Sequence, residues 1–163
     1  MKKLFLLLCL LCLAGQGMAQ TRINGIYYNL DSGSGTAEVT SVPSGESKYS
    51  GSISIPENVI YGGATYTVTS LGDRGFSDCT GLTSITIPNS VTSLGENCFR
   101  GCTGLTSITI PNSVTILGWS CFRDCTGLST ISLYNYITRL GKSCLVLFPT
   151  LRQLTTNSIQ PLS

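Results

Sequence analysis

From residue 50 onward the chain cycles through one arrangement of apolar and polar positions. Leu82-x-x-Ile85-x-Ile87-Pro88 alternates, and Val91, Leu94 and Phe99 follow at wider spacing. Alternation places Ile85 and Ile87 on one face of a strand and Ser84 and Thr86 on the other. At an offset of 23 residues, Cys79–Gly101 matches Cys102–Asp124 at 19 of 23 positions, and Cys125–Leu147 continues the register with eleven identities. Leu151 and Leu154 then fall where Leu128 and Ile131 predict. A strand this short cannot bury its apolar face alone, so equivalent strands must stack about 4.8 Å apart in a parallel sheet. Leu94, Leu117 and Leu140 form one inward column, and Phe76, Phe99 and Phe122 form a second. Pro88 ends the strand, while Gly95, Gly118 and Gly141 recur where the chain needs positive φ or close packing. The expected fold is a repeat solenoid: a parallel β-sheet on one face and irregular or short-helical return segments.

Upstream the pattern persists with an insertion. Ile53-Ser54-Ile55-Pro56 answers Ile85-Thr86-Ile87-Pro88, and the first unit is nine residues longer. Gly62-Gly63, between Val59-Ile60-Tyr61 and Thr65-Tyr66-Thr67-Val68, reads as a small hairpin. Ile23 to Leu30 and Thr36 to Val42 flank Asp31-Ser32-Gly33-Ser34-Gly35, a second hairpin, expected to cap the open edge of the first unit. The domain reading is a β cap over 20–50 and repeats over 51–163. An irregular first unit spans 51–78, regular units span 79–101, 102–124 and 125–147, and a partial last unit spans 148–163.

Residues 1–19 change the picture of location. Lys2-Lys3, an apolar run from Leu4 to Ala14 and small residues before Gln20 predict a secretory signal peptide. The run is about half the ~20 residues a membrane-spanning helix needs, so no transmembrane segment is expected. Lys2 and Lys3 also carry the whole formal excess of +2; without them eight Lys and Arg face eight Asp and Glu. Nucleic acid binding needs a basic surplus on one face, which is lacking. The chain has no histidine, which removes Ser-His-Asp and Cys-His catalysis and His-ligated zinc.

The units Leu82-Thr-Ser-Ile-Thr-Ile-Pro-Asn-Ser-Val-Thr-Ser-Leu-Gly-Glu-Asn-Cys-Phe-Arg-Gly-Cys102 and their successors resemble the BspA-like class of leucine-rich repeats. The segment Asn24-Gly25-Ile26-Tyr27-Tyr28-Asn29-Leu30 is similar to that family's lead-in. The resemblance implies a leucine-rich-repeat protein on the surface of, or secreted by, an anaerobic bacterium. It also implies adhesion to host extracellular matrix proteins or to other bacterial surfaces. Cys98, Cys121 and Cys144 stand where the family usually has Ala before Phe.

Six cysteines follow the signal segment, in the columns Cys79, Cys102, Cys125 and Cys98, Cys121, Cys144. Cys98-x3-Cys102 and Cys121-x3-Cys125 superficially resemble a thiolate zinc site. Duplication explains the spacing more simply, and small buried thiols pack well in stacked ladders; disulfides stay open for an exported chain. Asp73, Glu96, Trp119 and Lys142 share one position in successive units. Asp73 and Glu96 have the approximate separation of a retaining glycosidase pair, but a solvated loop without a cleft favours a bland reading. Trp119, polar in the other units, is expected to be exposed and to anchor binding. Arg100 and Arg123 stack beside it in sequence register. Ser84, Thr86, Ser107, Thr109, Thr130 and Ser132 form a field of hydroxyls on the strand face. The sequence therefore reads as a non-catalytic binder of protein ligands, with no cofactor or metal, using these hydroxyls with Trp119, Arg100 and Arg123. The alternatives are an extracellular polysaccharide-acting enzyme and a structural module of a longer repeat array.

Overall fold

The computed structural model describes residues 20–134, 136–144 and 153–157. The expected signal segment, 1–19, and much of the partial last unit lie outside the described residues.

The lead-in forms β1 (Thr21–Ile23), β2 (Ile26–Asp31) and β3 (Thr36–Val39). β1 and β2 pair antiparallel, as do β2 and β3 across the turn at 32–35. That turn closes because the Asp31 carboxylate accepts the Gly33 N–H at 2.8 Å and the Ser34 hydroxyl at 2.8 Å. Next come β4 (Gly51–Ser54), β5 (Asn58–Tyr61) and β6 (Ala64–Leu71). β5 and β6 form the antiparallel excursion, with Gly62 and Gly63 at φ +59° and +82° in its two-residue turn. Then β6 runs parallel to β3, which joins the lead-in to the repeats.

Each following repeat contributes two strands. The strand-face set is β7 (Leu82–Thr86), β9 (Ser107–Thr109), β11 (Thr130–Tyr134) and β13 (Gln153–Asn157). The second set is β8 (Ser93–Leu94), β10 (Ile116–Leu117) and β12 (Arg139–Leu140), each only two residues long. The strand-face strands pair parallel as β4–β7 and β9–β11–β13, in registers that align Ile53 with Ile85 and Ile108 with Ile131 and Leu154. The second set continues the lead-in sheet in the order β1-β2-β3-β6-β8-β10-β12. The repeats thus carry two strand sets, whose buried residues join one hydrophobic core.

The enclosed space is filled by columns at the 23-residue period. Ile85, Ile108 and Ile131 are buried, as are Leu71, Leu94 and Leu117, but Leu140, expected to continue the leucine column inward, is 55% exposed. Phe76, Phe99 and Phe122 stack with centroids 5.3 and 5.4 Å apart and rings nearly parallel, at 9° and 1°. Tyr49 of the lead-in closes the start of that stack, 4.9 Å from Phe76. Gly95, Gly118 and Gly141 serve close packing: a Cβ on each would come within 2.4–2.5 Å of the preceding repeat's backbone.

The short-helical return segments expected from the sequence are not present: among the described residues there is no helix. The reason lies in where the amides point. Phe76 N–H donates to Cys98 C=O, Phe99 to Cys121 and Phe122 to Cys144, so each return segment bonds forward to the next repeat. Left-handed residues interrupt any helical run. Arg74, Asn97, Ser120 and Ser143 have φ between +51° and +57°, and Asp78, Gly101 and Asp124 between +58° and +71°. Just after each of β8, β10 and β12 a bond runs the other way: Gly95 N–H donates back to Leu71 C=O, Gly118 to Leu94 and Gly141 to Leu117.

Candidate functional site

The strand face presents the predicted hydroxyls. Ser84, Thr86, Ser107 and Thr109 are exposed, and Thr130 and Ser132 half-buried. Parallel register places Thr130 beside Ser107 and Ser132 beside Thr109. Upstream the Ser84 hydroxyl donates to Ser52 Oγ at 2.7 Å. A shallow hollow of about 580 Å³ lies over this face, lined by Ser84, Thr86, Ser107 and Thr109 and flanked by Asn89, Asn112 and Tyr134. Such a surface offers hydrogen bonds in a regular lattice and no nucleophile with a base.

Trp119 is exposed, at 51%, yet it lies in a different place. It lines a hollow of about 680 Å³ on the second strand layer, to which no strand-face hydroxyl contributes. The backbone pairings of that layer put Asn29, Glu38, Ser70, Ser93, Ile116 and Arg139 in one row across neighbouring strands. Glu38 accepts hydrogen bonds from Asn29 Nδ2 at 3.4 Å and Ser70 Oγ at 3.3 Å. A Cβ on Gly72 would meet the Glu38 carboxyl at 2.8 Å, so that glycine gives the carboxylate its berth. Asp73 Oδ1 accepts the Glu96 N–H at 2.7 Å. Asp73 is therefore engaged with the next repeat's backbone, which is a different arrangement from a freely facing acid pair. Gln20, Asn29 and Glu38, supplied by the lead-in, were not among the residues singled out from the sequence.

Arg100 and Arg123 are exposed on the return turns, and neither lines the two hollows. Their Nε atoms each lie 3.5 Å from Asp124 Oδ2. One carboxylate thus holds two guanidinium groups from adjacent repeats. At this exposure the pairs contribute about 0–1 kcal/mol each.

All six cysteines are buried free thiols. Cys102 Sγ donates to Phe76 C=O at 3.1 Å and Cys125 Sγ to Phe99 C=O at 2.9 Å, 26 residues back in each case. Burial pushes the Cys79 thiol up to about 11. The hydrogen bond with Cys125, and burial, raise Cys102; burial raises Cys121. All six thiols are buried packing groups, and those of Cys79, Cys102 and Cys125 also donate to backbone carbonyls. Among the described residues no group of His, Cys, Asp and Glu is placed to hold a metal ion, and no helix is long and apolar enough to cross a membrane.

Comparison with known proteins adds a family and a fold. The family described as "BspA type Leucine rich repeat region" matches residues 52–161 in six copies. A leucine-rich repeat protein from Bacteroides capillosus superposes with a TM-score of 0.73 at 20% identity, covering 85% of this chain and 99% of that one. The Pneumococcal vaccine antigen PcpA superposes with a TM-score of 0.55 at 14% identity, covering 87% of this chain and 51% of that one. At such identities the likeness is one of fold. No curated protein matches the sequence.

Proposed function

Since the chain belongs to the BspA type leucine-rich repeat family, we propose that its repeats wind into a solenoid that binds a protein ligand without catalysis, on the hydroxyl-bearing strand face. The observation that carries this reading is the register of the strand face. Isoleucines are committed to the interior while hydroxyls from successive repeats stand outward in aligned rows. Repetition makes a broad surface from short side chains, which suits contact with another macromolecule. The chain acts outside the cell, secreted or held at the surface, and its ligands are host matrix proteins or other bacterial surfaces. The leading residues 1–19 and the family support that location.

Thr109, exposed at the centre of the strand face, provides the test. Thr109→Arg introduces bulk and charge at the contact without disturbing the core. Binding to a panel of immobilised host matrix proteins and bacterial cells should fall by about tenfold or more, as for a central interface position. Trp119→Ala, in the separate hollow, should leave that binding unchanged. A Thr109→Arg variant that binds the whole panel as well as the parent chain removes the strand face from the interface.

A further inference from the structure

We propose that the hollow beside Trp119 is a second recognition site, one that takes a lysine- or arginine-bearing segment of a partner polypeptide. Its lining includes three carboxylates, Glu38, Asp73 and Glu96, against one cation, Arg139. From Gln20 onward the chain is neutral by count, so this concentration is local. The indole adds the second element. Trp119 stands in the same column as Asp73 and Glu96, and the Asn97 N–H donates to Trp119 C=O at 2.8 Å, which fixes Glu96 and Trp119 in adjacent repeats. A cationic side chain laid on the exposed indole face gains attraction from the ring and, one repeat away, from a carboxylate. Lys142 follows Trp119 in that column, which confines the cation-binding region to the Glu38–Trp119 side.

An unmet bonding requirement lies in the same wall. Thr40 lines the hollow, is only 6% exposed, and its buried Oγ1 has no hydrogen-bond partner. Buried hydroxyls are rarely left so. That hydroxyl is sealed from solvent in the free chain, so an ammonium or guanidinium N–H would satisfy it once the wall opens on binding. The acceptors are prepared in advance: Asn29 and Ser70 hold Glu38, and the Glu96 amide holds Asp73. Preorganised acceptors lower the ordering cost of binding. From β3 to β12 the row crosses four strand spacings, about 19 Å, which matches about six residues of extended chain. Arg139 closes the far end and suits an acidic or carbonyl group there.

A fluorescently labelled peptide of alternating Lys and Ser, titrated against the full chain, tests this. Trp119 is the chain's only tryptophan, so its emission reports occupancy directly, and anisotropy of the label reports it for Trp119→Ala. We expect saturable binding that weakens with added salt and falls about tenfold in each of Glu38→Gln and Glu96→Gln, as for close charge pairs at an interface. Thr109→Arg should bind the peptide normally, so failure here stays distinct from failure of the strand-face reading. The proposal is overturned if the lysine peptide binds no better than its glutamate counterpart. It is equally overturned if neutral cello- or chito-oligosaccharides occupy the site with affinities untouched by the Gln substitutions. A concentration-dependent dimer in sedimentation that Trp119→Ala abolishes would assign the face to a second copy of the chain and reject the peptide.

Discussion

Two columns hold the backbone at positive φ, Arg74, Asn97, Ser120, Ser143 and Asp78, Gly101, Asp124, and Gly101 is the only glycine among these described residues. For an L-residue this conformation costs about 1–2 kcal/mol, least for Asn and Asp. Asn97, Asp78 and Asp124 fit that tolerance, whereas Arg74, Ser120 and Ser143 do not. Ser120 combines the strained φ of +51° with a buried Oγ that has no partner. Ser120→Gly removes both costs at once and loses only a little to the freer unfolded chain. Its denaturation midpoint should rise by the equivalent of about 1 kcal/mol in urea titrations. An unchanged or lowered midpoint would mean that the serine makes compensating contacts.

Elements in this protein exist by virtue of their neighbours. β8, β10 and β12 are two residues each, far below a length that stands alone, and they persist because each is laddered to the next at the glycine row. Gly118 shows how tight that row is, since its Cβ would lie 2.4 Å from the Gly95 carbonyl carbon. Gly118→Ala must therefore push adjacent repeats apart along backbone that has no side chain to yield. It should lose about 3 kcal/mol by chemical denaturation. A loss below about 0.5 kcal/mol would show that the row breathes freely. The β5–β6 hairpin was legible because Gly62-Gly63 between alternating residues is a turn with a mechanism. The return segments were not legible in the same way. Their apolar spacing tolerates a short helix, and only left-handed residues at non-glycine positions, which sequence marks weakly, turn the amides toward the next repeat.

Across the whole molecule, burial couples folding to pH at the alkaline end. Tyr28 and Tyr49 are pushed up to about 12 by burial, from 10.0, and Cys79 to about 11 from 9.0. The folded chain keeps protons that the unfolded chain releases, so this stability is complete below about pH 9 and drains away as pH rises toward 12. Urea midpoints measured from pH 8 to 11.5 should fall progressively above pH 9; a flat profile would show that these groups ionise without unfolding. The 23-residue period and the Ile and Phe columns were readable because identical residues recur at a fixed offset, and the exposed Trp119 because its column is polar in the other repeats; Leu140, identical to Leu94 and Leu117 yet exposed, marks where that logic stops. The hollow beside Trp119 was only half readable. Glu38 and Asn29 reach it through the parallel β3–β6 pairing, a long-range contact that no local motif announces. Finally, the return-segment amides of Phe76, Phe99 and Phe122 point toward the chain's end, while those of Gly95, Gly118 and Gly141 point toward its beginning. Their peptide dipoles oppose each other, so added repeats build no axial field of the kind a growing helix accumulates. An array of this design can lengthen or shorten in evolution without charging its ends.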